Sequence, residues 1–346
     1  MLTDALRTGG LTPEHDLFFA RRPADPEMRE STSMWLYEES GAFGFPRIGI
    51  EAEASSWNYR RVQGNFAIAG GRILNGAGMG VAHAPIAPNG RPEILGAGPL
   101  AFRCIEPFGK WRAVWNGDVI DGTVAQQVHK QLDTINRIPV RFEIELEIAG
   151  PAWVQDNSPE KVARMSKEEA IEAGNMGIGW RFEQLVRGVG QFTVDGKTRD
   201  FKTSGLRIKR QSVRPMGGFR GHCWQSALFP DGSGFGYIAY PPREDGSALN
   251  EGYVFKDGKF YPAKAVEIPW LRRIVPEGDD VSLALESELG ITRISATTAL
   301  STFRVGNPDI GGLNLHQGGV RFVWGEQVAY GMIERSSPES LTTIEC

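Results

Sequence analysis

The chain has 346 residues, 41% of them apolar and 23% charged, with a formal net charge of −4. That length suggests two domains of similar size, each able to bury its own core. The interleaved charges form no basic stripe of the kind that grips phosphate backbones, so no nucleic-acid partner is expected. No run reaches the roughly 18 apolar residues of a membrane helix. Met1 to Arg22 lacks the basic start, apolar core and cleavage site of a secretory leader, so the expectation is a cytoplasmic protein without an integral membrane segment, its oligomeric state left open.

Residues 1–25 and the last ten read as loose ends. Between them lie eight Asn-Gly or Asp-Gly steps, at Asn75, Asn89, Asn116, Asp121, Asp195, Asp231, Asp245 and Asp257, most of them separating short runs rich in Val, Ile, Phe, Tyr and Trp. That pattern predicts antiparallel hairpins. Trp57 to Leu74 reads as a strand, a Gly70-Gly71 turn and a second strand, and Arg141 to Ile148 alternates as a half-buried strand does.

Ser158 to Gly174 is the clearest helix. Ser158 can cap it, Pro159 suits its first turn, Glu160 and Glu168-Glu169 complement its positive end, and Gly174 can stop it. Its high charge predicts a surface connector, and the domain boundary is placed inside it. The expected units are 26–157, the connector 158–174, and 175–340.

After the connector, Trp180, Phe182 and Val186 form an apolar row interrupted by Gln184, with Arg181 and Glu183 on the opposite face. Arg207 and Arg214 follow the Asp195-Gly196 turn; His222 and Trp224 share one strand face; Tyr237 and Tyr240 come after the Asp231-Gly232 turn. Val320 to Met332 reads as one alternating strand with Phe322, Trp324, Glu326 and Val328 on one side. The chain as a whole predicts an all-β protein of two antiparallel barrels or sandwiches.

Cys104, Cys223 and Cys346 are far apart and odd in number, as reduced thiols are, and Cys223 reads as a buried structural thiol rather than a nucleophile. The five histidines lack zinc spacing, the paired glycines open no strand-to-helix phosphate loop, and no Gly-x-Ser-x-Gly elbow occurs. Neither metal nor cofactor is expected.

The chain resembles the two-domain lipocalin-like superfamily of carotenoid 1,2-hydratase, kievitone hydratase, tocopherol cyclase and the fungal decalin-forming Diels–Alderases, nearest to a bacterial branch of it. The resembling stretches are Pro107 to Arg112 with Asn116-Gly117, Phe142 to Pro151, Arg181 to Gln184, Gly205 to Arg214, Phe229 to Gly232, and Tyr330 to Glu334. Where relatives commonly carry an acidic residue and a tryptophan between two arginines, this chain reads Arg207-Ile208-Lys209-Arg210-Gln211-Ser212-Val213-Arg214. Only the outer arginines match. The resemblance implies two lipocalin-like β-barrels with a ligand site at their junction. It also implies cofactor-independent chemistry on a hydrophobic small molecule such as a terpenoid, steroid or polyketide: hydration, dehydration or isomerisation. The alternatives are a cyclase that shapes its substrate and a carrier that leaves it unchanged.

Two proton donors are candidates. On an unbroken strand, Glu326 points into the apolar layer of Phe322 and Trp324, where desolvation raises a carboxyl pKa toward neutrality; a bulge at Gly325 would turn it outward. His222, beside aromatic rings, can exchange a proton near neutral pH or serve as a structural imidazole. His316, at a glycine-rich turn, carries the same two readings. For ligand binding, Gln184 can hold a carbonyl or hydroxyl, or else pair with backbone. Arg207 and Arg214 can bind an acidic group or clamp the domains together. Trp57, Trp180, Trp224, Trp324 and Tyr240 are candidate walls of an apolar chamber.

Overall fold

The structure is a computed structural model that describes residues 2–215 and 218–345. Cys346, counted among the thiols above, lies outside the described residues. The fold is all-β and consists of two closed antiparallel barrels. The first is a ring of eight strands: Met28–Glu38, Phe43–Glu53, Tyr59–Ile68, Arg72–Asn75, Lys110–Thr123, Arg137–Ile148, Ile178–Val194 and Lys197–Val213. The second runs in chain order through His222–Leu228, Gly234–Ala239, Asn250–Lys256, Lys259–Glu267, Leu283–Ser287, Gly290–Asn307, Leu313–Trp324 and Gln327–Ser337.

Strand pairing moves the expected domain limits. Ile178–Val194 and Lys197–Val213, assigned by sequence to the second unit, bond to Arg137–Ile148 and Met28–Glu38 and close the first barrel. The charged connector looked like a boundary because composition reports exposure, whereas pairing partners are set by register. The connector is two helices, Pro159–Val162 and Lys167–Met176, and its C-terminal end is buried instead of lying on the surface.

The hairpin signal holds at Asp195-Gly196 and Asp257-Gly258, where both residues of each turn have positive φ as the mirror-image turn requires. It fails at Asn116-Gly117 and Asp121-Gly122, which stay inside Lys110–Thr123.

Neither barrel is hollow. Phe45, Phe66, Trp111, Trp115, Phe142 and Phe192 fill the first; Phe229, Phe235, Tyr237, Phe322 and Ile333 fill the second. The expected loose N-terminus is partly built into the first core. Phe18 packs on Trp111, while Asp16 accepts hydrogen bonds from Phe108 N (2.6 Å) and Trp111 Nε1 (3.2 Å). A third apolar cluster, including Trp35, Leu185, Leu206, Trp224 and Met332, joins the barrels. There Tyr37 Oη donates to Gly318 O across the junction (2.6 Å), and a Cβ at Gly319 would lie 2.5 Å from the Tyr37 ring, so that approach requires glycine. Among the described residues, no helix is long and apolar enough to cross a membrane.

Candidate functional site

Strand alternation builds the site. On Met28–Glu38, Met34 and Leu36 enter the first core while Ser33 and Trp35 turn outward. On Lys197–Val213, Arg207 and Lys209 point inward and Ile208 and Arg210 outward. On His222–Leu228, Cys223 and Gln225 face the second barrel's interior, His222 and Trp224 its outside. These outward faces meet across a cleft of about 280 Å³ between the barrels.

One side of the cleft is aromatic and apolar. Trp35 and Trp224 meet edge to face at 4.8 Å, Tyr240 packs on Phe219, and Ile238 and Met176 complete the wall. Trp224 is fixed by its Nε1 bond to Glu183 (3.2 Å) and by Arg181 over its ring at 5.2 Å.

Arginines line the rest. Toward solvent, Arg29 pairs with Glu51 (3.1 Å) and Arg61 with Asp309 (2.7 Å). Deeper, Arg47 reaches Glu334 (3.1 Å) and Arg181 reaches Glu183 (2.5 Å). Arg210, 8% exposed, has no carboxylate within ion-pair distance among the described residues; Arg214 likewise has none and spends its Nε on Asn175 O (2.7 Å). Burial, then repulsion from Arg214 and Arg181, pushes the Arg210 pKa well below its ordinary value. Burial raises the Tyr240 phenol to about 12, with Arg214, Arg181 and Arg210 partly offsetting it.

At one wall of the cleft His222, 6% exposed, places Nε2 3.3 Å from Glu334 Oε1 and Nδ1 2.7 Å from Ser336 Oγ. The Glu334 carboxylate also accepts from Arg47 and from Gln317 Nε2 (2.5 Å). Burial alone would raise its pKa; Arg47, His222 and Gln317 together hold it below the ordinary carboxylate range. Glu334 is therefore an anion at neutral pH. The backbone N–H of His222 also donates to Ser336 Oγ (3.2 Å), which leaves that hydroxyl's proton for Nδ1 and the Nε2 proton for Glu334.

Of the residues singled out by sequence, the cleft brings together His222, Trp224, Tyr240 and Arg214. The others lie elsewhere. Glu326 is exposed in a two-residue turn, with Trp324 paired to Gln327 and Gly325 at φ 61°, so the strand breaks before the carboxylate can face inward. Trp324 sits at the mouth of the second barrel against Phe229. His316 is inside that barrel, stacked on Phe303 at 4.5 Å and accepting from Arg335 Nε at Nδ1. Burial, then Arg335, lowers its pKa well below the ordinary value.

Arg207 and Gln184 belong to the first core. Arg207 pairs with Asp16 at 2.8 Å, and Gln184 accepts from Arg207 and donates to Arg7 O (2.8 Å), so neither is left for a ligand. Trp180 stacks on Phe182, and Trp57 packs against Arg60. Cys223 is buried beside Tyr237 Oη, and burial raises its thiol to about 11, as suits a structural thiol.

Sequence reading missed Trp35, Arg47, Arg181, Arg210, Arg304 and Glu334. Their signal was the polar face opposite each apolar row, which faces solvent unless a second barrel covers it.

No curated protein matches the chain. Among solved structures it is similar to a protein assigned as AttH from Nitrosomonas europaea, at 14% identity over 94% of this chain and 99% of that one, with TM-score 0.56. It is also similar to CghA with Sch210972, at 11% identity over 90% and 89%, TM-score 0.51. Kievitone hydratase from Nectria haematococca aligns at 11% identity over 94% of each chain, TM-score 0.47. The first two likenesses give the fold alone, two paired lipocalin-like antiparallel barrels. Residues 12–339 match one family along almost their whole length, and the chain belongs to it: the family described as Domain of unknown function (DUF7064).

Proposed function

We propose that the chain is a cofactor-independent enzyme that moves a proton on a small molecule bound between the barrels, adding or removing water at a double bond or shifting that bond. The observation that carries this reading is the pairing of His222 with the ionised Glu334 in a cleft where Phe219, Trp224 and Tyr240 adjoin the imidazole. The carboxylate fixes the orientation of the imidazole, as the acidic partner of a catalytic histidine does. At 3.3 Å the Nε2–Oε1 contact is longer than the ~2.7–2.9 Å of a charge-assisted hydrogen bond. Nε2 is thus loosely held on the cleft lining, where a substrate oxygen or a water can take the place of Glu334 as its partner and exchange a proton with it.

The arginines favour one kind of intermediate. A carbocation would form beside Arg181 and Arg210 and be repelled, whereas negative charge developing on a carbonyl oxygen would be stabilised. Loss of a hydroxyl β to a carbonyl fits the cleft better than cation-driven cyclisation: the α proton passes to a water, its electron pair forms the double bond as the C–O bond breaks, Nε2–H protonates the departing hydroxide to water, and the imidazole regains its proton from solvent.

The test begins with mass spectrometry of small molecules released from the purified protein, followed by incubation of the protein with them. A product differing by one water marks a hydro-lyase; an isomer of equal mass marks an isomerase or cyclase; an unchanged ligand marks a carrier. His222→Gln keeps the shape and one hydrogen bond but cannot transfer the proton, so turnover should fall by ~10²–10⁴-fold. Equal turnover in His222→Gln would remove the imidazole from the mechanism.

A further inference from the structure

Among the described residues, the buried polar atoms of the cleft that lack a partner are almost all donors. Trp35 Nε1, Arg47 Nε, Arg181 Nε and Nη1, Arg210 Nε and Arg304 Nη2 are buried without a hydrogen-bond partner, and the only unpartnered acceptor lining the cleft among the described residues is Gln63 Oε1. Arg181 is 3% exposed and Arg210 8%, so water does not replace the missing partners cheaply. The charges are also unequal. Seven arginines line the cleft, against Glu51, Glu53, Asp309 and Glu334 in the lining and Glu183 behind Arg181. The surplus of two falls on Arg210 and Arg214, which among the described residues have no carboxylate within ion-pair distance.

A fold that buries unpaired guanidinium groups pays several kcal/mol for each. A planar carboxylate returns that cost by accepting two parallel N–H bonds from one fork. The aromatic wall of Trp35, Trp224 and Tyr240 beside the arginines gives the same ligand an apolar body to lie against.

We infer that the ligand of the interbarrel cleft is an organic carboxylate, its acid group held by Arg181, Arg210 and Arg214 and its apolar or aromatic body by Trp35, Trp224 and Tyr240. The inference rests on the cleft being the ligand site, but not on any reaction there.

Isothermal titration of the full chain with three molecules of one shape tests it: 2-naphthoate, 2-naphthalenemethanol and 2-naphthylmethylammonium. Naphthoate should bind at least about tenfold more tightly than the alcohol, the margin of one charge-assisted hydrogen bond, and the ammonium most weakly. Arg210→Met should bring naphthoate down to the level of the alcohol and leave the alcohol's affinity unchanged; Arg214→Met is the second variant should the first not fold. An alcohol that binds as tightly as the acid, or an unchanged preference in both variants, overturns the carboxylate assignment and leaves the cleft as a ligand site. Binding of none of the three overturns both.

Discussion

The two faces of Lys197–Val213 treat buried cations in opposite ways. On the inner face, Arg207 is paired with Asp16 (2.8 Å) and Lys209 with Glu30 (3.0 Å), and all four side chains are almost wholly buried. One residue further, on the outer face, Arg210 is buried with no carboxylate in ion-pair contact among the described residues. Both faces lose hydration, but only the inner one regains it in direct ion pairs; on the outer face Glu51 attracts Arg210 and Arg214 from beyond ion-pair distance. The inner pairs are therefore part of the folded core, and the outer arginines are the groups to which we assign the proposed carboxylate.

The largest expected effect breaks the inner side of this comparison. Arg207→Met leaves Asp16 buried with its main partner gone, and unfolding in denaturant should show a loss of about 3–5 kcal/mol. A loss under about 1 kcal/mol would mean that the inner pairs are no more structural than the outer arginines. Next comes the junction itself: Tyr37→Phe strands Gly318 O, and about 1–3 kcal/mol should be lost in the same measurement.

A smaller effect appears on acidification. His316 is held neutral by burial and by Arg335, whereas in the unfolded chain it takes a proton below its ordinary value of 6.5. Stability is thus complete above that pH and declines as pH falls below it. Glu334, whose folded pKa lies below its ordinary 4.5, adds a second decline that begins lower. His316→Asn should abolish the first decline and Glu334→Gln the second, as read by thermal melts between pH 8 and 3. A first decline that survives in His316→Asn would place it on another group.

The smallest effects sharpen the outer side. Arg210→Met, measured without ligand, should be at least as stable as the parent chain, because it removes a buried charge that Arg214 and Arg181 repel and that no described carboxylate meets in an ion pair. A clear loss would show that Arg210 holds the fold together as Arg207 does. Glu326→Gln should change stability by less than about 0.5 kcal/mol and leave turnover unaltered, since the side chain projects from an exposed turn.

Much of this architecture was legible because hairpin turns and strand alternation are local. Asp195-Gly196 and Asp257-Gly258 sit where such steps belong, and the split of Arg181 and Glu183 from Gln184 can be read directly from a period of two. Closure was not legible: nothing near Lys197–Val213 states that Met28–Glu38 is its partner. For the same reason Glu326 was misread, since a single residue of positive φ at Gly325 reverses the chain within an otherwise regular pattern. His222 was legible as a polar residue among aromatic ones. Its carboxylate Glu334 was not, because the two meet only through the register of strands more than a hundred residues apart.

That late closure governs how the protein can be made. Met28–Glu38 leaves the ribosome early, yet the strand that covers its free edge begins at Lys197. At roughly 5–20 residues per second, the gap lasts on the order of ten to thirty seconds. Throughout that interval an eleven-residue edge of unpaired backbone groups is open to pairing with other nascent chains. The amino-terminal half is thus not a folding unit that finishes first and waits for its neighbour, and a gene fragment ending at the connector would yield an open, aggregation-prone sheet.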